Sequence, residues 1–146
     1  NLARAYEVGI PVPEPLAFDR NILLMRFLGE DELPYPQLRN AEIEDYGAVY
    51  RQILDYIERL YRDARLVHAD LSEYNILYHE KPYLIDMGQA VTLDHPRAPA
   101  FLIRDIKNLN RYFSRYCDIL DEQEIISAIT GTEYREPSRP GEGMQS

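Results

Sequence analysis

The sequence predicts an α+β fold, mostly helical with short β-hairpins, and three patterns predict it. Two long stretches carry apolar residues at steps of three and four, the spacing of half-buried helices. Short apolar runs bounded by turn residues read as hairpins. A row rich in proline and acidic residues, from Gly29 onward, separates the first hairpin from the helical remainder.

Residues 1–8 read as the end of a helix closed by Gly9, which tolerates a left-handed cap. Pro11, Pro13 and Pro15 then force an extended chain. Strands are expected at 16–18 and 22–26, joined by Asp19-Arg20-Asn21, and 29–39 reads as a connector. Asn40 has the chemistry of an N-cap, and Ile43, Tyr46, Tyr50, Ile53, Ile57 and Leu60 follow at helical steps. This predicts a helix over about 41–63, roughly 35 Å long at 1.5 Å per residue. Two strands, 76–78 and 83–85, flank the turn at 79–82. Phe101, Leu102, Ile106, Leu109, Phe113 and Tyr116 mark a second long helix, and a third is expected over about 121–129, stopped by Gly131. The polar, Pro- and Gly-containing end, 133–146, reads as a disordered tail.

With 45% hydrophobic and 28% charged residues, the balance is that of a globular domain. The net charge of −9 disfavours direct nucleic-acid binding. Arg104, Lys107, Arg111 and Arg115 recur at helical spacing and read as a solvated helix face. The lone Cys117 cannot form an internal disulfide and reads as a core thiol, which points to a reducing compartment. The apolar run 22–28 is interrupted by Arg26 and is far too short to span a membrane. No stretch has the order of a signal peptide, so a cytoplasmic location is expected.

The chemistry concentrates in His68-Ala69-Asp70-Leu71-Ser72-Glu73-Tyr74-Asn75-Ile76-Leu77 and in Leu84-Ile85-Asp86-Met87-Gly88. An Asp two residues after a His, an Asn five later and then a D-x-G turn have kinase spacing. Phosphoryl transfer asks for a group that positions the acceptor hydroxyl and for oxygen ligands that hold Mg²⁺ against the phosphates. Asp70 suits the first role, Asn75 and Asp86 the second. Each alone could be a turn former; the spaced set after a long helix favours the site. The kinase resemblance set out below implies a protein-kinase-like C-terminal lobe with a remnant of the N-terminal lobe, divided as 1–28 for the remnant, 29–131 for the lobe and 132–146 for the tail. His68 is read as fixing the loop. Asp105 either braces that loop or is a solvated helix charge. No His, Cys and carboxylate set has zinc spacing.

These motifs, with Gln89-Ala90-Val91, Asp94-His95-Pro96 and the segment 101–108, resemble the RIO family of atypical protein kinases, closest to its first subfamily. The resemblance covers roughly 1–113. It implies a serine/threonine kinase or ATPase that uses ATP and Mg²⁺, acts on a protein substrate and serves maturation of the small ribosomal subunit. It also implies that Asp70 is the catalytic aspartate and that Asn75 and Asp86 bind metal, Asp86 itself being able to accept phosphate. Ser72 would approach the terminal phosphate, and Met25, Arg26 and Leu28 would form the adenine-binding hinge. Ordinary protein kinases differ, since only 60 residues follow Asp86 and no A-P-E signature occurs. The rivals are an aminoglycoside-type phosphotransferase and a non-catalytic pseudokinase module. No Gly-rich loop, strand lysine or helix glutamate is recognisable upstream, so a fragment with little activity of its own is expected.

Overall fold

The structure is a computed structural model that describes residues 1–19, 22–25, 29–30 and 33–131. Helix α1 (Leu2–Glu7) buries Leu2 and Ala5 and ends at Gly9, whose φ is +82°. A Cβ there would meet the Arg59 guanidinium at 3.0 Å, while that guanidinium donates to the Val8 carbonyl at 2.6 Å. Backbone conformation and space both call for glycine. The prolines that follow keep the chain extended, and the Pro11 carbonyl accepts the Leu84 N–H at 2.8 Å.

Strands β1 (Pro15–Asp19) and β2 (Ile22–Met25) pair as the expected antiparallel hairpin. The segment read as a connector carries more order than its composition suggests. There β3 (Gly29–Glu30) pairs with β4 (Leu33–Pro34), the Pro36 carbonyl accepts the Tyr78 N–H at 2.9 Å, and Gln37 bridges to Leu77.

Helix α2 (Tyr46–Arg59) starts later than its apolar spacing predicts. Asp45 is the cap, its carboxylate accepting the Ala48 N–H at 3.0 Å. Asn40 instead closes a 3₁₀ turn, Leu38–Asn40, and Ala41 after it is extended. The helix proper is therefore about 21 Å long at 1.5 Å per residue. It continues into one π turn, Leu60–Ala64, and stops at the left-handed Arg65.

Strand β5 (Leu66–Val67) pairs antiparallel with β8 (Val91–Thr92), Leu66 facing Thr92. Between them runs the hairpin of β6 (Ile76–His79) and β7 (Lys81–Leu84), whose strands reach further into the turn than expected and leave Glu80 at the tip with φ +64°. Pro82 fits in β7 because its partner Tyr78 sends its N–H to Pro36, so the pair needs no N–H from the proline. A 3₁₀ turn, Met87–Gln89, leads to β8. Helix α3 (Ala98–Phe113) and helix α4 (Glu122–Thr130) follow; Asp121 caps α4 and Gly131 ends it with φ +71°.

The core lies among α2, α3, α4 and the strands around the site, where Ile53, Leu66, Leu71, Leu84, Ile106 and Phe113 are all fully buried. Its polar centre joins three segments: the Tyr50 hydroxyl donates to Asn110 Oδ1 at 2.6 Å and accepts the Leu120 N–H at 3.1 Å, while Asn110 Nδ2 donates to the Leu120 carbonyl at 3.0 Å. Tyr50→Phe orphans both partners, so urea unfolding is expected to show a loss of about 1–3 kcal/mol; an unchanged midpoint would contradict the network. Among the described residues no helix is long and apolar enough to cross a membrane. The expected tail at 133–146 and the hinge positions Arg26 and Leu28 lie outside the described residues.

Candidate active site

The segment after β5 is held in an unusual backbone path. Ala69 has φ +75°, a left-handed conformation that alanine rarely adopts and that costs on the order of 1–3 kcal/mol. Three side chains from α3 hold it there or beside it. Asp105 Oδ2 accepts the Ala69 N–H at 2.9 Å and Oδ1 accepts the Leu71 N–H at 3.0 Å. Arg104 donates to the Ala69 carbonyl, and Asn108 Nδ2 donates to the Leu71 carbonyl at 3.3 Å. Asp105 is only 1% exposed. Burial pushes its carboxyl up from the usual range, while the two N–H groups, His68 and Arg104 pull it back. Of the two roles left open for Asp105, the structure shows the brace.

His68 joins the two halves of the motif. Its Nε2–H donates to the Ile85 carbonyl at 2.7 Å, and Nδ1 accepts the Asp70 N–H at 3.2 Å. One neutral tautomer satisfies both bonds. The buried imidazole thus ties the backbone of Asp70 to the residue preceding Asp86.

Asn75 turns back on Asp70. Its Nδ2 donates to the Asp70 carbonyl at 2.6 Å and to Asp70 Oδ2 at 3.3 Å, which leaves Oδ1 as the amide's acceptor atom. Its own carbonyl accepts the Ile85 N–H at 3.0 Å, so the hairpin places Asn75 and Asp86 at the same end. Asp86 is exposed and left-handed, with φ +57°, and its carboxylate makes no capping bond to the 3₁₀ turn that it precedes. A turn former commits its carboxylate to backbone N–H groups; this one is available. Ser72 accepts the Tyr74 N–H on Oγ at 3.2 Å and the Asn75 N–H on its carbonyl at 3.0 Å, and its hydroxyl proton remains to be donated.

The structure therefore brings Asp70, Ser72 and Asn75 into one turn and fastens Asp86 to it through Ile85. Met25 ends β2 opposite Pro15. Arg104 and Asn108 are the functional positions that motif spacing missed, since they act on loop carbonyls more than 30 residues away. An amide oxygen and a carboxylate suit a hard cation. Among the described residues no three His, Cys, Asp or Glu side chains form a metal cage, so such a cation needs further oxygens from phosphate or water.

A helical lobe whose hairpin presents this pair beside an Asp-containing loop is the C-terminal lobe of the protein-kinase fold. The chain belongs to the RIO domain family, whose family model matches residues 1–125. It is 40% identical to the human serine/threonine-protein kinase RIO1 over 150 residues, covering 100% of this chain and 26% of that protein. It is 45% identical to the RIO-type serine/threonine-protein kinase Rio1 of Thermoplasma acidophilum over 125 residues, covering 86% of this chain and 66% of that one. Among solved structures, it is similar to the Rio2 kinase–ADP/Mg²⁺–phosphoaspartate complex from Chaetomium thermophilum, with TM-score 0.74 and 27% identity. That match covers 92% of this chain and 42% of the other. The chain thus spans between a quarter and two thirds of these relatives.

Proposed function

We propose that this chain is the acceptor-orienting and metal-binding part of a RIO-type serine/threonine kinase or ATPase, of the first subfamily, that uses ATP and Mg²⁺. The observation that carries the reading is the Asp70–Asn75 pair fastened to Asp86, whose carboxylate caps no turn. Asp70 orients the substrate hydroxyl and takes its proton. Asn75 Oδ1 and the Asp86 carboxylate would hold Mg²⁺, which when bound draws the phosphates into line and offsets their charge. Ser72 donates its hydroxyl toward the terminal phosphate. Met25, Arg26 and Leu28 make the adenine hinge between a small-lobe part, 1–28, and the lobe, 29–131, with 132–146 as a tail.

The phosphoaspartate in the Rio2 complex supports an aspartate as phosphate acceptor, and Asp86 is our assignment for it. By the same kinship the substrate is a protein and the role is maturation of the small ribosomal subunit, while a cytoplasmic setting rests on the lone Cys117. The phosphate-clamping loop and lysine that catalysis also needs would come from outside the described residues. In the full-length protein, Asp70→Asn is expected to slow Mg²⁺-dependent peptide phosphorylation by about 10²–10⁴-fold, the usual worth of a positioned acid or base. Unchanged turnover, in a variant with an unchanged thermal melt, would remove Asp70 from the chemistry.

A further inference from the structure

Helix α3 carries a cationic stripe of which the site described above uses only Arg104. Arg97 at its N-cap, then Arg104, Lys107 and Arg111, recur at steps of seven, three and four, which puts them on one side of the helix over about 21 Å. All four are exposed. None forms an ion pair among the described residues, where the ion pairs are Arg59 with Asp55 and Arg62 with Glu58. The carboxylates nearest in sequence are committed elsewhere: Asp105 to the Ala69 and Leu71 N–H groups, and Asp94 to the Thr92 hydroxyl. Arg104 also faces the buried Asp105 carboxylate, which leaves Arg97, Lys107 and Arg111 as three cations with no ion pair among the described residues, out of keeping with a chain of net charge −9.

The stripe is also tied to the site. Arg97 and Arg104 lie over the Phe101 ring, 5.1 and 4.9 Å from its centroid, so the aromatic face holds both guanidiniums near each other. Arg104 reaches the Ala69 carbonyl. Arg111 donates to Asn108 Oδ1 at 2.9 Å, and Asn108 in turn reaches the Leu71 carbonyl. The cations thus flank the two residues on either side of Asp70.

Resting on the kinase reading above, we propose that this stripe selects the acceptor: it docks an acidic segment of the protein substrate, carboxylates beside the Ser or Thr to be phosphorylated, next to Asp70. An extended peptide rises about 3.3 Å per residue, so the stripe accommodates about six residues. A polypeptide fits better than a nucleic acid, because the stripe adjoins the group that would orient the hydroxyl of a Ser or Thr acceptor.

The test uses the full-length protein and its Arg97→Glu/Lys107→Glu variant, two positions that make no contact with the loop backbone. Three labelled probes are compared: a serine peptide with flanking Asp and Glu, the same peptide with Asn and Gln, and an oligouridylate of matched charge. The acidic peptide is expected to show a KM about tenfold below the neutral one, a gap that rises in low salt and vanishes in the variant. ATP turnover without peptide stays unchanged in the variant, which shows that its fold and nucleotide site are intact. Equal KM values for the two peptides, or a gap that survives charge reversal, overturns the proposal. So does tighter binding of the oligouridylate than of the acidic peptide, lost on charge reversal. If the full-length protein transfers phosphate to no peptide and hydrolyses no ATP, the kinase reading falls. Fluorescence anisotropy with the same probes then still decides what the stripe binds.

Discussion

Asp86→Asn in the full-length protein is expected to lower Mg²⁺-dependent phosphoryl transfer by more than about a hundredfold, since even outer-shell partners of a metal are worth 10–100-fold. The melting temperature is expected to stay within about 2 °C, the shift given by less than 1 kcal/mol in a domain of this size. Both halves of this expectation follow from local structure. Asparagine has the shape of aspartate and adopts the left-handed conformation as readily, so the φ of +57° at this position is no harder to reach. The carboxylate caps nothing, so its loss orphans no backbone group. What disappears is the carboxylate of the proposed Mg²⁺ ligand. Titrating Mg²⁺ should show that higher metal concentration recovers part of the rate. Activity equal to the parent at low Mg²⁺ would exclude Asp86 from the metal site.

Asp105→Ala carries the second large effect, and it falls on stability first. It strips the acceptor from two buried N–H groups, Ala69 and Leu71. Each unsatisfied group costs about 1–3 kcal/mol, so a loss of about 2–6 kcal/mol is expected. At about 2–4 °C per kcal/mol the midpoint should fall by about 10 °C. Below that midpoint, kcat should fall as well, because Arg104 and Asn108 hold only the carbonyls of this segment, and without Asp105 its N–H groups no longer keep Ala69 in a conformation disfavoured for alanine. Asp105→Asn is the sharper probe: it keeps one acceptor oxygen and turns an amide N–H toward the second donor, so its midpoint should lie between those of Asp105→Ala and the parent. A midpoint for Asp105→Ala equal to the parent's would mean that the brace is not holding the loop.

Much of the site was legible because its spacing is short and its residue types are demanded by chemistry. The hairpin was legible as two short apolar runs around the turn at 79–82, and it sets Asn75 before one strand and Asp86 after the other, at the same end. Helices α3 and α4 were legible from their period and from the stop at Gly131, while Asp121, read as the first helical residue, is the N-cap. The start of α2 was not, since Asn40 and Asp45 are both competent caps, and the choice rests on the 3₁₀ turn at Leu38–Asn40 and the extended Ala41 between them. The pairing of the segment 33–37 with β6 uses backbone groups such as the Pro36 carbonyl, which every residue type carries. Ala69 gave no sign either. Glycine or asparagine at φ +75° would have announced the turn, whereas alanine is placed there by Asp105 and Arg104 from 36 and 35 residues away.

The pairing of β5 with β8 has a consequence for how the site can come apart. Leu66 faces Thr92 and Val67 faces Val91, so the whole stretch from His68 to Ala90 is a closed circuit sealed at its base. Closing such a loop costs little entropy, because the cost grows only with the logarithm of its length. Once it is sealed, the turn that carries Asp70 and Asn75 and the turn that carries Asp86 share one clasp and one imidazole, and α3 anchors the first of them. They open together or not at all. The two halves of the chemistry are therefore a single cooperative unit, and a lesion in either should be felt by the other as lost rigidity rather than as a missing contact.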